Sequence, residues 1–176
     1  MKKPLFYILD SDVLITAKNS YYGFEFCSGF WESLLGEYKH GRVFSISRVR
    51  GELLSGTKSD NLVQWISGQV PSTFFLDVDE DQVTARFTEV MLWSQRHTRY
   101  SDAAKAKFAT GADGWLVAYG MVHGAIVVTN EQPRPDAIRD IKLPDVCNQF
   151  KVRVSNTFMM LRDLGVQLDL RATDKT

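Results

Sequence analysis

The chain begins its patterned part with an uninterrupted apolar run, Leu5-Phe6-Tyr7-Ile8-Leu9, that stops abruptly at Asp10 and Asp12. Apolar residues at every position, rather than every second one, predict a strand covered on both faces, as in the middle of a parallel sheet. It is expected to be the central strand. Val43-Phe44-Ser45-Ile46 reads as a second short strand and Ala125-Ile126-Val127-Val128 as another fully apolar one. Between these runs the spacing becomes helical. Asp12 or Ser11 is expected to cap a segment over residues 13–18. An aromatic loop over residues 21–26 follows, and Phe30, Trp31, Leu34 and Leu35 mark a helix over about 28–38 that ends at Gly41. Ser47 is expected to cap a helix carrying Val49, Glu52, Leu53 and Leu54, stopped by Gly56.

Further along, Leu62, Val63, Trp65 and Ile66 predict a helix within residues 59–70, and Phe74-Phe75-Leu76 an extended segment. Asp79-Glu80-Asp81 suits the positive end of a long helix running through Val83, Phe87, Val90, Met91 and Trp93. Residues 112–123 read as a buried helix ended by Gly124. The remainder is expected to be a loop punctuated by Pro133, Pro135 and Pro144, a strand over 151–154, a helix over 156–164 and a polar tail from about 170. Strands alternating with helices predict an α/β protein, a three-layer α/β/α sandwich on a mostly parallel central sheet. Its 176 residues suit a single domain.

Composition narrows the classes. The chain is 44% hydrophobic and 24% charged, with 11 Phe, 4 Trp and 6 Tyr, which excludes a disordered or fibrous protein. Twenty-one bases balance 21 acids, so the domain is not basic throughout. Cys27 and Cys147 match no zinc spacing and are expected to be buried thiols of a reducing cytoplasm. The apolar stretch behind Lys2 and Lys3 is too short for a signal peptide, and no segment approaches the ~20 apolar residues of a membrane span. A cytoplasmic protein with no membrane partner is expected.

Ligands in parallel-sheet proteins collect beyond the carboxyl ends of the strands. Asp10 and Asp12 follow the first strand, and Thr129, Asn130 and Glu131 follow the strand ending at Val128. Glu52 and Asp113 lie on helices expected to start near the same edge. Each acid alone has a plain structural use: a cap, a dipole partner, an exposed helix or loop position. Together they need a cation, because carboxylates ~4 Å apart repel by about 4 kcal/mol per pair at an effective dielectric near 20. An oxygen-only donor set selects Mg2+ or Mn2+, one ion or two, over zinc. Such a site suits attack of water on a phosphodiester.

The motifs Leu9-Asp10-Ser11-Asp12-Val13, Val49-Arg50-Gly51-Glu52-Leu53, Ala112-Asp113-Gly114-Trp115-Leu116-Val117-Ala118 and Val127-Val128-Thr129-Asn130-Glu131, in that order, resemble those of a PIN-domain ribonuclease. More narrowly, the chain is similar to a longer bacterial PIN-like branch related to VapC-type toxins, with Leu143-Pro144-Asp145-Val146-Cys147 similar to a segment near that branch's end. The resemblance implies a metal-dependent endoribonuclease acting on RNA, with Asp10, Glu52, Asp113 and Glu131 as catalytic and metal-holding acids and Thr129 ordering the site. It further implies the toxin of a bacterial toxin–antitoxin pair, a neutralising antitoxin protein and a homodimer. Two positions depart from the family pattern. Asp12 stands where Asn, Ser or Thr is commoner, so it is either an added ligand or a hydrogen-bonding partner of Asp10. Glu131 stands where Asp is commoner, which carries its carboxylate one methylene further out.

The first motif is also similar to that of haloacid-dehalogenase-type Mg-dependent phosphatases, whose first Asp is a nucleophile. That family needs a later Gly-Asp type motif, and Thr129-Asn130-Glu131 stands in its place. A catalytically inactive interaction module is the remaining class. His40, His97 and His123 form no cluster, and the four tryptophans fall in helical patterns that favour the core. Tyr21 and Tyr22 suit an aromatic corner, with stacking on an unpaired base as the alternative. Between Arg86 and Lys107 lie Arg96, Arg99 and Lys105, and these bases form a candidate RNA-backbone track or an ordinary solvated face. Setting aside the four site acids and the four between Asp77 and Asp81 leaves 13 acids against 21 bases, so the zero net charge conceals an asymmetry.

Overall fold

The computed structural model describes residues 5–169. Five strands, β1 (Tyr7–Leu9), β2 (Val43–Ile46), β3 (Phe75–Leu76), β4 (Ile126–Val128) and β5 (Val154–Ser155), form one sheet in the order β3-β2-β1-β4-β5, every pair parallel. The helices complete a three-layer α/β/α sandwich. The apolar runs are central for the reason their pattern gives: Ile8, Leu9, Val127 and Val128 are wholly buried. The polar tail expected from about 170 lies outside the described residues.

From β1 the chain winds outward on one side through β2 to β3, then crosses to build β4 and β5 on the other. The crevice between the carboxyl ends of β1 and β4 is therefore the switch point of the sheet, where such folds hold their ligands. The register there is explicit. Leu9 is paired with Val128, and the Asp10 N–H donates to the Val128 carbonyl at 3.0 Å, so the residues that follow the two strands leave the sheet side by side.

Several expected boundaries move. Helix α1 (Ser11–Thr16) is capped by Asp10, whose carboxylate accepts the Ser11 N–H at 2.6 Å, and not by Ser11 or Asp12. It widens into a π-helical turn over Ala17–Tyr21 that takes in the start of the expected aromatic loop. Helix α2 (Ser28–Lys39) follows. Ser47 is the first residue of α3 (Ser47–Leu54) and not its cap, because Ile46 already holds the flanking extended conformation. Asp60 caps α4 (Asn61–Gly68) by accepting the Leu62 N–H at 2.8 Å, and Lys18 pairs with the same carboxylate at 2.6 Å. Helix α5 (Asp81–Arg96) matches the expected long helix.

Two helices were not legible in the periodicity. Helix α6 (Asp102–Thr110) buries only Ala104 and Phe108, too narrow a stripe to stand out. Helix α8 (Leu143–Gln149) stands where the sequence predicts a proline-punctuated loop, and Pro144 sits in its first turn, where the missing N–H costs nothing. Between them α7 (Asp113–His123) packs against α5, α6 and α8. A Cβ at Gly120 would stand 2.6 Å from Val152 Cγ1, so α7 lies directly on the chain entering β5. Gly124 ends the helix in the left-handed conformation, at φ 71°. The last strand begins at Val154 rather than 151, because Lys151 turns with φ 57°, and Asn156 caps α9 (Thr157–Leu164).

Candidate functional site

The site follows from the β1–β4 register. Thr129, the first residue beyond β4, is buried beside Asp10, and its hydroxyl lies 3.0 Å from Asp10 Oδ2 and 3.4 Å from Asp12 Oδ1. One hydroxyl proton serves one of these oxygens at a time. The Thr129 hydroxyl oxygen itself accepts the Glu131 N–H at 3.2 Å. Asp12, in the first turn of α1, accepts the Asn130 N–H through both carboxylate oxygens, at 3.2 and 3.0 Å. It thus ties α1 to the end of β4 and is not a helix cap. Asn130 is fixed in turn by accepting from the Thr157 hydroxyl at 2.9 Å.

Two acids arrive on helices. Because β2 pairs with β1, α3 starts at the same edge, and Glu52 on its second turn accepts the Ala112 N–H at 2.8 Å. That contact fixes the entry to α7, whose first residue is Asp113. Among the described residues no group donates a hydrogen bond to the Asp113 carboxylate. Glu131 bends away: Lys142 Nζ stands 3.2 Å from Oε1, and the Leu143 N–H donates to Oε2 at 3.0 Å. Glu52, Asp113 and Glu131 line one cavity of about 330 Å³ together with Lys107, Asp140 and Lys142.

The electrostatics record how close the acids are. Burial first, then the Glu131, Glu52 and Asp12 carboxylates, push the Asp113 pKa up to about 7. Burial, Asp113 and Asp12 hold that of Asp10 well above the ordinary carboxylate range. Asp12 is raised mainly by burial, against the hydrogen bonds from Asn130. Cys147, buried on α8, is raised by burial and by Asp113 and Asp10 behind it. The sequence expectation of two buried thiols holds for Cys147, whereas Cys27 is half-buried; both are free.

The five carboxylates therefore lie close together, Glu52, Asp113 and Glu131 on the cavity wall and Asp10 and Asp12 near enough to act on the same cluster, and their oxygen-only chemistry fits a hard divalent cation. Among the described residues, however, no group of three His, Cys, Asp or Glu side chains is set to hold a metal ion as the side chains stand. The reason is visible in the contacts. Asp12, Glu52 and Glu131 are turned to protein N–H groups, and Asp10 is held by Ser11 and Thr129.

The expected basic track is not a single stripe. Arg96 ends α5, Arg99 donates to the Pro135 carbonyl, and Lys105 donates to the Gln95 carbonyl at 3.0 Å. Of these bases only Lys107 lines the acidic cavity, and it pairs with Asp140 at 3.3 Å. Tyr22 stacks on Phe30 with centroids 4.3 Å apart, which gives it the corner role, while Tyr21 is exposed and packs edge-on against Phe158. Trp31 and Trp65 are buried; Trp115 stacks on Phe87 and carries the Arg48 guanidinium 4.8 Å from its ring centroid. Sequence reasoning missed Lys142 and the backbone donor at Leu143. The signal available was a lone base immediately before the Leu143–Cys147 motif.

A five-stranded, all-parallel α/β/α sandwich with five acids gathered at its switch point defines the class of this protein. The chain belongs to a family described as a domain of unknown function, DUF4411, whose model matches residues 7–168. No curated protein matches it.

Proposed function

We propose that the chain is a divalent-metal-dependent endoribonuclease that hydrolyses RNA phosphodiesters. The observation that carries this reading is the meeting of Asp10, Asp12, Glu52, Asp113 and Glu131 beyond the carboxyl ends of β1 and β4, where burial and the neighbouring carboxylates raise the pKa of Asp113 and no group among the described residues donates a hydrogen bond to it. The resemblance of the four motifs to PIN-domain ribonucleases supports it. Asp10 and Asp113 would hold Mg2+ or Mn2+, with Glu52 and Glu131 completing the set directly or through water. A bound ion of this kind supplies charge neutralisation at the phosphate and a water of lowered pKa.

The chain's own residues do the rest. Thr129 fixes Asp10 in one orientation, and Asp12 locks the loop after β4 through the Asn130 N–H. Lys107, on the cavity wall, offers a cation to the strand's phosphates. The resemblance to the toxin branch extends the proposal to the toxin of a bacterial toxin–antitoxin pair, acting in the cytoplasm, with an antitoxin protein and a second copy of the chain as partners. No helix among the described residues is long and apolar enough to cross a membrane.

The test is cleavage of single-stranded RNA in Mn2+ with and without a chelator. Cleavage is expected to stop on chelation and to fall by roughly 100-fold or more in Asp10→Asn and in Asp113→Asn, each with an unchanged circular dichroism spectrum. Undiminished cleavage in either variant overturns the assignment. Phosphate trapped on Asp10 during turnover of a phosphate monoester would instead establish a phosphatase, and no Mn2+ binding at all an interaction module.

A further inference from the structure

Of the five acids Asp10, Asp12, Glu52, Asp113 and Glu131, Glu131 is, among the described residues, the one whose oxygen pairs with a lysine ammonium. Lys142 stands 3.2 Å from Oε1, with both side chains half-buried at 24% and 29% exposure, and the Leu143 N–H holds Oε2. The pair closes the loop between β4 and α8 over the same cavity that Asp113 and Glu52 line. The other lysine on that wall, Lys107, is paired with Asp140 and its side chain is 80% exposed, so its charge is largely screened by water.

We propose that Lys142 is a positioning residue, the built-in counter-cation of the metal-free site. It holds Glu131 turned towards α8 and competes with the divalent cation for that carboxylate. The extra methylene of glutamate is what lets Glu131 reach the start of α8. A half-buried ion pair of this kind is weak in net terms, so a doubly charged ion at Asp10 and Asp113 can draw Glu131 back. Together with the donors that hold Asp10, Asp12 and Glu52, the pair keeps the carboxylates from closing around a metal site as they stand. This inference rests on the nuclease reading.

The experiment is calorimetric titration of Mn2+ into the full chain and its Lys142→Met and Lys142→Gln variants, beside thermal melting in chelator and in saturating Mn2+. Removing the competing ammonium is expected to tighten Mn2+ binding roughly 2- to 5-fold, the equivalent of the lost pair. It is also expected to lower the melting temperature in chelator, with recovery in Mn2+. Lys142→Arg keeps the pair and is expected to bind as the unaltered chain does. Mn2+ binding that is unchanged or weaker in both Met and Gln variants overturns the role of Lys142 while leaving the nuclease intact. An unaltered chain that binds no Mn2+ overturns both.

Discussion

Asp113 shows how much a single residue's setting depends on neighbours far away in sequence. Its ordinary pKa is 3.8, and in the folded chain burial and three carboxylates raise it to about 7. Between those values the folded state binds a proton that the unfolded state has released. The stability this gives is complete below about 3.8 and is lost as pH rises through about 7. The melting temperature of the chelator-treated protein is therefore expected to fall from pH 5 to pH 8. Asp113→Asn, neutral throughout, should flatten that slope, and saturating Mn2+ should remove it by binding the ionised cluster. A slope that survives the substitution unchanged would assign it to Asp10 and Asp12, the other acids raised by burial. The identity of these residues is legible in the sequence as acids trailing apolar strands, for Asp10, Asp12 and Glu131, and as acids on helices expected to start near the same edge, for Glu52 and Asp113. Their orientation is not, because the donors that turn them, at Asn130, Ala112 and Leu143, are backbone groups brought up by other elements.

Among the elements, α7 carries Asp113 into the crevice, and its position is set by how closely it can lie on its neighbours. Gly120 leaves no room for a side chain, since a Cβ there would meet the branched Val152 at 2.6 Å. Gly120→Ala is expected to destabilise the chain by up to about 2 kcal/mol in urea unfolding, with an unchanged denaturant slope. The steric cost of ~1–3 kcal/mol outweighs the ~1 kcal/mol that alanine brings to a helix. Elements with a wide apolar stripe, such as α2 with Phe30, Trp31 and Leu34, were legible because burial imposes the period. Helices α6 and α8 were not, because one buries only two side chains and the other opens on a proline inside a proline-rich stretch.

At the scale of the whole molecule the balance of 21 bases and 21 acids takes on a local meaning. The bases of the expected track are spread over α5, α6 and the loops, and two lysines, Lys107 and Lys142, face the acidic cavity. Binding of single-stranded RNA to Asp10→Asn should therefore depend only shallowly on salt. Each phosphate contact contributes a slope of about −0.7 in log K against log salt, so two lysines give about −1.4. A slope several times steeper, measured by fluorescence anisotropy, would place the strand across the wider set Arg96, Arg99 and Lys105.

By itself the sequence determined the parallel sheet and the acids that stand beyond its strand ends, because burial on both faces and an abrupt polar stop are written locally in residue order. The tertiary structure decided the rest. The pairing of Leu9 with Val128 set Asp10 against Thr129, and the close approach of α7 delivered Asp113. The return of the chain into α8 placed Lys142 on Glu131. None of these is written locally, because each is a contact between segments whose separation in sequence carries no trace of their meeting.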